Sequence, residues 1–279
     1  KVALIGHNRP EGLWAEMAAL CVGGIVVWVF QDAMIDEVRY VVDHSDARFL
    51  VGEGQEEVDK GLAIKARCPR LERIIWDDPK GMRGYDEPCL TSLAEVRRLG
   101  REMDERDRAA FERMVKEGRG DDVALLFYTS GTTALPKGAL LTHLNMLKMG
   151  QNLLAVDPCY ENDDFASFLP FAWIGEQMMS ISCGLQAGFT LNFPEDPETV
   201  QRDVREIAPQ VLFSPPRIYE QMVRTVQVKV LDAPRLKRRA YTWALGVGGR
   251  VADLEFAKQS VPVLLRLKRG MADLLVLRK

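Results

Sequence analysis

Hydrophobic positions alternate along the chain between short continuous runs and stripes with helical spacing. Residues 2–5, 25–30, 48–51 and 71–76 are rich in Val, Ile, Leu and aromatic side chains, and each is four to six residues long. Such runs, apolar at most positions, suit strands covered on both faces. Between them, residues 11–21, 34–44 and 55–67 place apolar side chains at helical spacing and predict helices. Strand–helix–strand alternation of this kind implies a mainly parallel sheet with helices on both faces. Residues 77–88 carry Pro79, Gly81, Gly84 and Pro88 and read as loop. Residues 90–118 are dense in both charges and predict one or two exposed helices bridging two halves.

The alternation then restarts. Residues 123–128 predict a strand, 140–154 a helix, 165–169 a strand, 176–185 a helix and 189–193 a strand. A helix over 197–207 and a strand over 211–213 follow. Pro215 and Pro216 stand at the start of a long helix over 217–231, where proline is tolerated. Pro234 breaks that helix, and further helix is expected toward residue 277. The expected organisation is α/β: two mainly parallel sheets with helices on both faces. A first subdomain with its charged linker covers 1–120, and a second subdomain covers 121–279.

Composition adds limits. Of 279 residues, 47% are hydrophobic and 28% charged, an ordinary globular balance, and the net charge of -3 disfavours a nucleic-acid binder. Residues 217–279 depart from that average, with 14 Lys and Arg against 5 Asp and Glu. That basic region is a candidate for peripheral contact with an anionic membrane, against the alternative of solvated helix faces. Five scattered cysteines (Cys21, Cys68, Cys89, Cys159 and Cys183) form no C-x-x-C pair, which points to a reducing, cytoplasmic setting. The longest apolar run, 17–30, is shorter than the roughly 20 residues that span a bilayer. Both ends of the chain read as cuts inside a longer sequence.

The chemistry concentrates in Tyr128-Thr129-Ser130-Gly131-Thr132-Thr133-Ala134-Leu135-Pro136-Lys137-Gly138, between an expected strand and an expected helix. Glycines let the backbone approach a ligand, and successive amides form a nest for an anion. Hydroxyls donate to phosphate oxygens or ligate Mg²⁺, and Lys137 adds a point charge. A helix N-terminus aimed at the loop would favour the same anion. The segment is not a Walker A loop, whose last three positions need Gly, Lys and Ser or Thr; here they are Pro136, Lys137 and Gly138.

This segment resembles the phosphate loop of the adenylate-forming superfamily, which includes acyl-CoA synthetases, luciferase-like enzymes and peptide-synthetase adenylation domains. Thr129, Ser130, Gly131, Thr132, Thr133, Pro136, Lys137 and Gly138 match, and Ala134 stands where relatives usually have Gly. If that position needs a positive φ, alanine costs roughly 1–2 kcal/mol there. Residues 2–11, 84–88, 169–176 and 214–220 are similar to long-chain fatty acyl-CoA synthetases. The resemblance implies ATP and Mg²⁺ as cofactors, with a fatty acid and CoA as substrates. It places Thr129, Ser130, Gly131, Thr132, Thr133, Ala134, Lys137 and Gly138 on the nucleotide, with Thr132 as the Mg²⁺ contact. Thr132 and Lys137 are the residues it assigns to catalysis. It also implies an acyl pocket involving Trp173 and Glu176. For Trp173 the alternative is plain core packing, and for Glu176 a structural pairing with a basic residue. Within the superfamily, fatty acyl-AMP ligases and aryl-acid ligases are alternatives, as is a degenerate, non-catalytic nucleotide-binding module. No Tyr-Gly-x-Thr-Glu segment, hinge or small C-terminal lid domain is found in the sequence.

Overall fold

The computed structural model describes residues 1–129 and 135–277. They form two compact units, Lys1–Phe213 and Ser214–Lys279. In the first unit, β1 (Val2–Ile5), β2 (Val26–Val29), β3 (Phe49–Gly52), β4 (Arg73–Trp76), β5 (Leu90–Ser92), β6 (Val123–Thr129) and β7 (Lys137–Thr142) make one seven-stranded sheet. Its order is β5-β4-β3-β1-β2-β6-β7. Every neighbouring pair is parallel except β6 and β7, which run antiparallel.

Successive strand side chains point to opposite faces, so each strand feeds two cores. Ala3, Ile5, Val27, Val29, Leu50, Ile74 and Leu126 pack on one side with α2 (Ile35–His44) and α3 (Gln55–Lys65), through Val38, Val41, Val42, Val58 and Ile64. Leu4, Val26, Trp28, Leu125 and Phe127 pack on the other side. There they meet Ala19 of α1 (Pro10–Cys21) and Met146, which lies on a later helix. The expected burial on both faces is therefore present in the central strands β1, β2 and β6. The charged stretch after β4 forms α4 (Leu93–Arg106) and α5 (Ala110–Glu117). Ser92 caps α4 by accepting from the Glu95 amide at 3.1 Å.

Two expectations are corrected. The first is the division at residue 120. β6 bonds to β2 of the same sheet, with Val26 opposite Leu125, so the sheet runs through that point. The second is the helix expected over 140–154. Residues 137–142 are instead the strand β7, and the helix α6 is His143–Val156. The run from Ala139 to Leu141 carries no polar residue to separate a helix start from a strand. Thr142 marks the boundary: its hydroxyl accepts from the Asn145 amide at 3.1 Å, and the Asn145 side chain accepts from the Thr142 amide at 3.0 Å.

Beyond α6, β8 (Asp164–Ala166) and β9 (Thr190–Asn192) form a small parallel sheet. A single bridge from Phe165 to Val211 stands where the third strand was expected. A continuous helical segment joins β8 to β9. It comprises α7 (Ile174–Glu176), a π-helical stretch Gln177–Cys183, and α8 (Gly184–Ala187). Close approach sets its position: a Cβ on Gly150 of α6 would fall 2.6 Å from the Ser182 carbonyl oxygen. The first unit also contains α9 (Val200–Ile207).

The second unit is helical, with α10 (Pro216–Leu231), α11 (Arg235–Phe256) and α12 (Val263–Ala272). Ala244 and Val247 of α11 bury against Ala272, with Leu265 and Val276 packed around them. As expected, Pro234 separates α10 from α11, at the cap position of the second helix. Among the described residues no helix is long and apolar enough to cross a membrane.

Candidate functional site

Parallel strands β1, β2, β3 and β6 all end on one edge of the sheet, the edge where ligands of open α/β sheets bind. At that edge β6 ends at Thr129 and β7 begins at Lys137. The phosphate-loop motif thus spans a hairpin between two antiparallel strands rather than a strand-to-helix turn. Ser130, Gly131, Thr132, Thr133 and Ala134 lie outside the described residues. The described flanks are well tied. Thr129 pairs with Lys137 and Tyr128 with Gly138 across the ladder. The Thr129 hydroxyl also donates to the Lys137 carbonyl at 3.4 Å.

Lys137 is exposed and pairs with no carboxylate among the described residues, so its charge is available to a ligand. Gly138 has a local packing reason. A Cβ there would lie 2.7 Å from Leu126 Cδ1, inside the hairpin. The helix N-terminus expected behind the loop is not there, because all of β7 separates the loop from α6.

On the same side of the sheet, a cleft of about 1230 Å³ opens over the ends of β1, β2 and β3. Its walls include His7, Asn8 and Arg9 after β1, Glu53 after β3, Phe168 and Pro170 after β8, and Phe193 after β9. The His7 ring sits 2.9 Å from Glu53, and Arg9 donates to the same carboxylate at 3.0 Å. Burial works the other way, yet the His7 amide and ring and the Arg9 guanidinium hold the Glu53 carboxyl below its usual range. These contacts fix the rim.

Glu176 lies behind the wall of this cleft. It is fully buried and meets no basic residue among the described ones, so the expected pairing with a cation is replaced by hydroxyls. Ser167 donates to its Oε1 at 2.6 Å and Ser180 donates to the same atom at 2.5 Å. Its Oε2 has no partner among the described residues. Burial pushes the carboxyl up to about 7, against the pull of the two serines and of the Leu169 amide. Asn8 closes the chain to the cleft, donating to the Ser167 hydroxyl at 3.0 Å and to the Leu169 carbonyl at 2.7 Å.

A second buried acid adjoins it. Glu16 accepts from Trp28 Nε1 at 2.6 Å and from Gln177 Nε2 at 3.0 Å. Burial raises it to about 7 as well. Trp28 in turn stacks on Phe171 with centroids 5.1 Å apart. Together these contacts pin residues 167–177 to the main sheet. Trp173 stacks on Phe213 at 5.8 Å, and Gly175 leaves room for the Trp173 ring, which a Cβ would approach to 2.6 Å. Neither Trp173 nor Glu176 lines the cleft; Pro170 of the same motif and Phe168 just before it do. Sequence reasoning missed Glu16, Asn8 and Ser167. The only available signal was a lone acid, Glu16, on the apolar face of a helix.

A sheet edge carrying both a cleft and the two flanks of the Gly/Thr/Ser motif defines an α/β domain with a candidate ligand site. Comparison with known proteins makes the class specific. The family model described as AMP-binding enzyme matches residues 1–265, and the chain belongs to that family. It is 26% identical over 288 residues to the long-chain-fatty-acid–CoA ligase ACSBG2 of Xenopus laevis, covering 100% of this chain and 38% of that relative. With human ACSBG2 the identity is 26% over 278 residues, covering 97% of this chain and 40% of the relative. The chain thus spans about two fifths of the length of these relatives. Among solved structures, the adenylation domain of a carboxylate reductase from Mycobacterium chelonae is similar, with a TM-score of 0.63 and 17% identity. It matches 84% of this chain and 38% of that one. ATP-bound MatB from Rhodopseudomonas palustris has a TM-score of 0.57 and 19% identity, over 84% of this chain and 41% of its own. These similarities show a shared fold.

Proposed function

We propose that this chain forms the ATP-handling part of an AMP-forming acid–thiol ligase whose acid is a long-chain fatty acid. The observation that carries the reading is the phosphate-loop sequence spanning a hairpin at the ligand edge of the sheet, with Lys137 exposed beside it. Family membership and the ACSBG relatives support it.

In the first half-reaction a carboxylate oxygen attacks the α-phosphorus of ATP. The bond from that phosphorus to the bridging oxygen breaks, pyrophosphate leaves, and an acyl-adenylate forms. In the second, the CoA thiolate attacks the acyl carbon, the bond to the AMP oxygen breaks, and a thioester forms. Negative charge crowds the phosphates in the first step, and preorganised donors lower its barrier. Thr129, Ser130, Gly131, Thr132, Thr133, Ala134 and Gly138 would line the phosphates with amides and hydroxyls, and Lys137 would neutralise the leaving pyrophosphate. Thr132 is the protein ligand we assign to Mg²⁺. Among the described residues no group of three or more His, Cys, Asp and Glu could hold a metal. Trp173, fixed against Phe213, and the buried Glu176 are assigned to the support of the acyl pocket from behind its wall.

The test is equilibrium binding of MgATP to the chain. Thr132→Ala and Lys137→Ala are each expected to weaken it about tenfold, the ~1.4 kcal/mol of one charge-assisted contact. Unchanged affinity in both variants would refute the assignment of the loop. Acid-dependent exchange of pyrophosphate into ATP, run on the full-length protein with fatty and aryl acids, then identifies the acid. Dependence of product on CoA separates a CoA ligase from an acyl-AMP donor.

A further inference from the structure

A loop that wraps a polyphosphate gains from being held in its bound shape beforehand, because ordering it on binding would cost affinity. The hairpin here has both flanks tied to one helix. On α2, Tyr40 and His44 are four residues apart and so share a face. The helix is anchored by Val38, Val41 and Val42, all buried against the sheet. The Tyr40 hydroxyl donates to the carbonyl of Pro136 at 2.8 Å, on the flank leading into Lys137. Nδ1 of His44 lies 2.7 Å from the hydroxyl of Tyr128, on the opposite flank. The three rings support one another. Tyr40 and His44 stack at 5.3 Å, and both meet Tyr128 edge-on, at 6.0 and 5.7 Å.

We propose that Tyr40 and His44 are positioning residues for the nucleotide loop, clamping both flanks of the 129–137 segment to α2. The role of each bond follows from what it restrains. Pro136 fixes its own φ, so holding its carbonyl fixes the next peptide plane and the direction in which Lys137 leaves the backbone. Tyr128 pairs with Gly138, so holding its ring fixes the ladder at the rung beside Thr129 and Lys137. Burial, with Tyr40 and Asp46 nearby, pushes the Tyr128 phenol up to about 12, so it keeps its proton through the physiological range. No sequence motif marks the clamp, because its members lie in two segments more than 80 residues apart.

The nucleotide side of this inference rests on the reading of the loop given above, and two measurements on the full chain separate them. Amide hydrogen exchange reads the clamp without any nucleotide. In Tyr40→Phe, which keeps the ring, exchange at Lys137 to Leu140 is expected to rise about fivefold, while that of β1 stays unchanged. Fivefold corresponds to the ~1 kcal/mol of one hydrogen bond. Tyr128→Phe should act similarly through the His44 bond. MgATP binding reads the consequence: each variant should raise Kd several-fold with little change in Tm. Unaltered exchange in both variants overturns the clamp. So does unaltered Kd in both variants when Lys137→Ala weakens binding. If Lys137→Ala and Thr132→Ala also leave Kd unchanged, the ATP reading is what fails, and the exchange result decides the clamp.

Discussion

Glu176→Gln is expected to stabilise the protein at pH 8 and to leave it nearly unchanged at pH 4.5. The carboxyl is fully buried, its Oε1 takes two serine hydroxyls, and its Oε2 has no partner among the described residues. In the folded chain it titrates at about 7, against an ordinary value of 4.5. Below pH 4.5 both folded and unfolded chains hold the proton, so the group contributes no pH dependence. Between 4.5 and 7 the unfolded chain releases a proton that the folded chain keeps, and stability falls by ~1.4 kcal/mol per pH unit. Across that window the loss is roughly 3 kcal/mol, complete once pH exceeds the folded value. Glutamine keeps an oxygen for Ser167 and Ser180 and carries no charge, so it escapes the loss. Glu16 titrates in the same window, for the same reason, and doubles the slope in the native chain. Urea unfolding from pH 4.5 to 8 gives the measurement. The native chain should lose close to two protons' worth of slope from these acids, Glu176→Gln one, and Glu16→Gln combined with it none. An unchanged slope in Glu176→Gln would show that the carboxyl is ionised in place, and the reasoning from burial would be refuted.

Two further substitutions test packing and capping. Gly175→Ala puts a methyl 2.6 Å from the Trp173 ring and 2.8 Å from Phe213, so it should cost about 1–3 kcal/mol and disturb the Trp173 fluorescence. Unchanged emission and denaturation midpoint would contradict the stacking. Thr142→Ala removes the cap of α6 and should cost about 1 kcal/mol in urea unfolding, with Thr142→Ser close to neutral; equal effects of the two would contradict the cap.

What the sequence disclosed follows from how local each signal is. The first four strands and the helices between them were readable because each strand is a mostly apolar run and each helix follows at the expected spacing. The same logic misplaced the start of α6. Ala139, Leu140 and Leu141 fit either period, and only pairing with Leu125, Leu126 and Phe127 makes them a strand. Membership of β6 in the first sheet depends on a rung between Val26 and Leu125, which no local pattern encodes. At the site, the loop motif stands out in the sequence because its residues are contiguous. The buried acids were not, because Glu16 and Gln177 meet across 161 residues.

The misplaced helix changes the electrostatics of the site. A helix N-terminus acts on an anion only within about its first turn. Here β7 contributes six residues between the loop and α6. At about 3.3 Å per residue, that separates the α6 N-terminus from the loop end of the hairpin by roughly 20 Å. The helix dipole therefore contributes nothing useful to a phosphate at the loop. On the proposed reading of the loop, charge compensation would fall to Lys137, to the hydroxyls of the motif and to whatever cation accompanies the phosphates. A helix N-terminus is a fixed partial charge that needs no side chain to aim it. A lysine and a set of hydroxyls act only if the backbone presenting them is held. The clamp from α2 and the tight packing at Gly138 supply that rigidity where the helix does not.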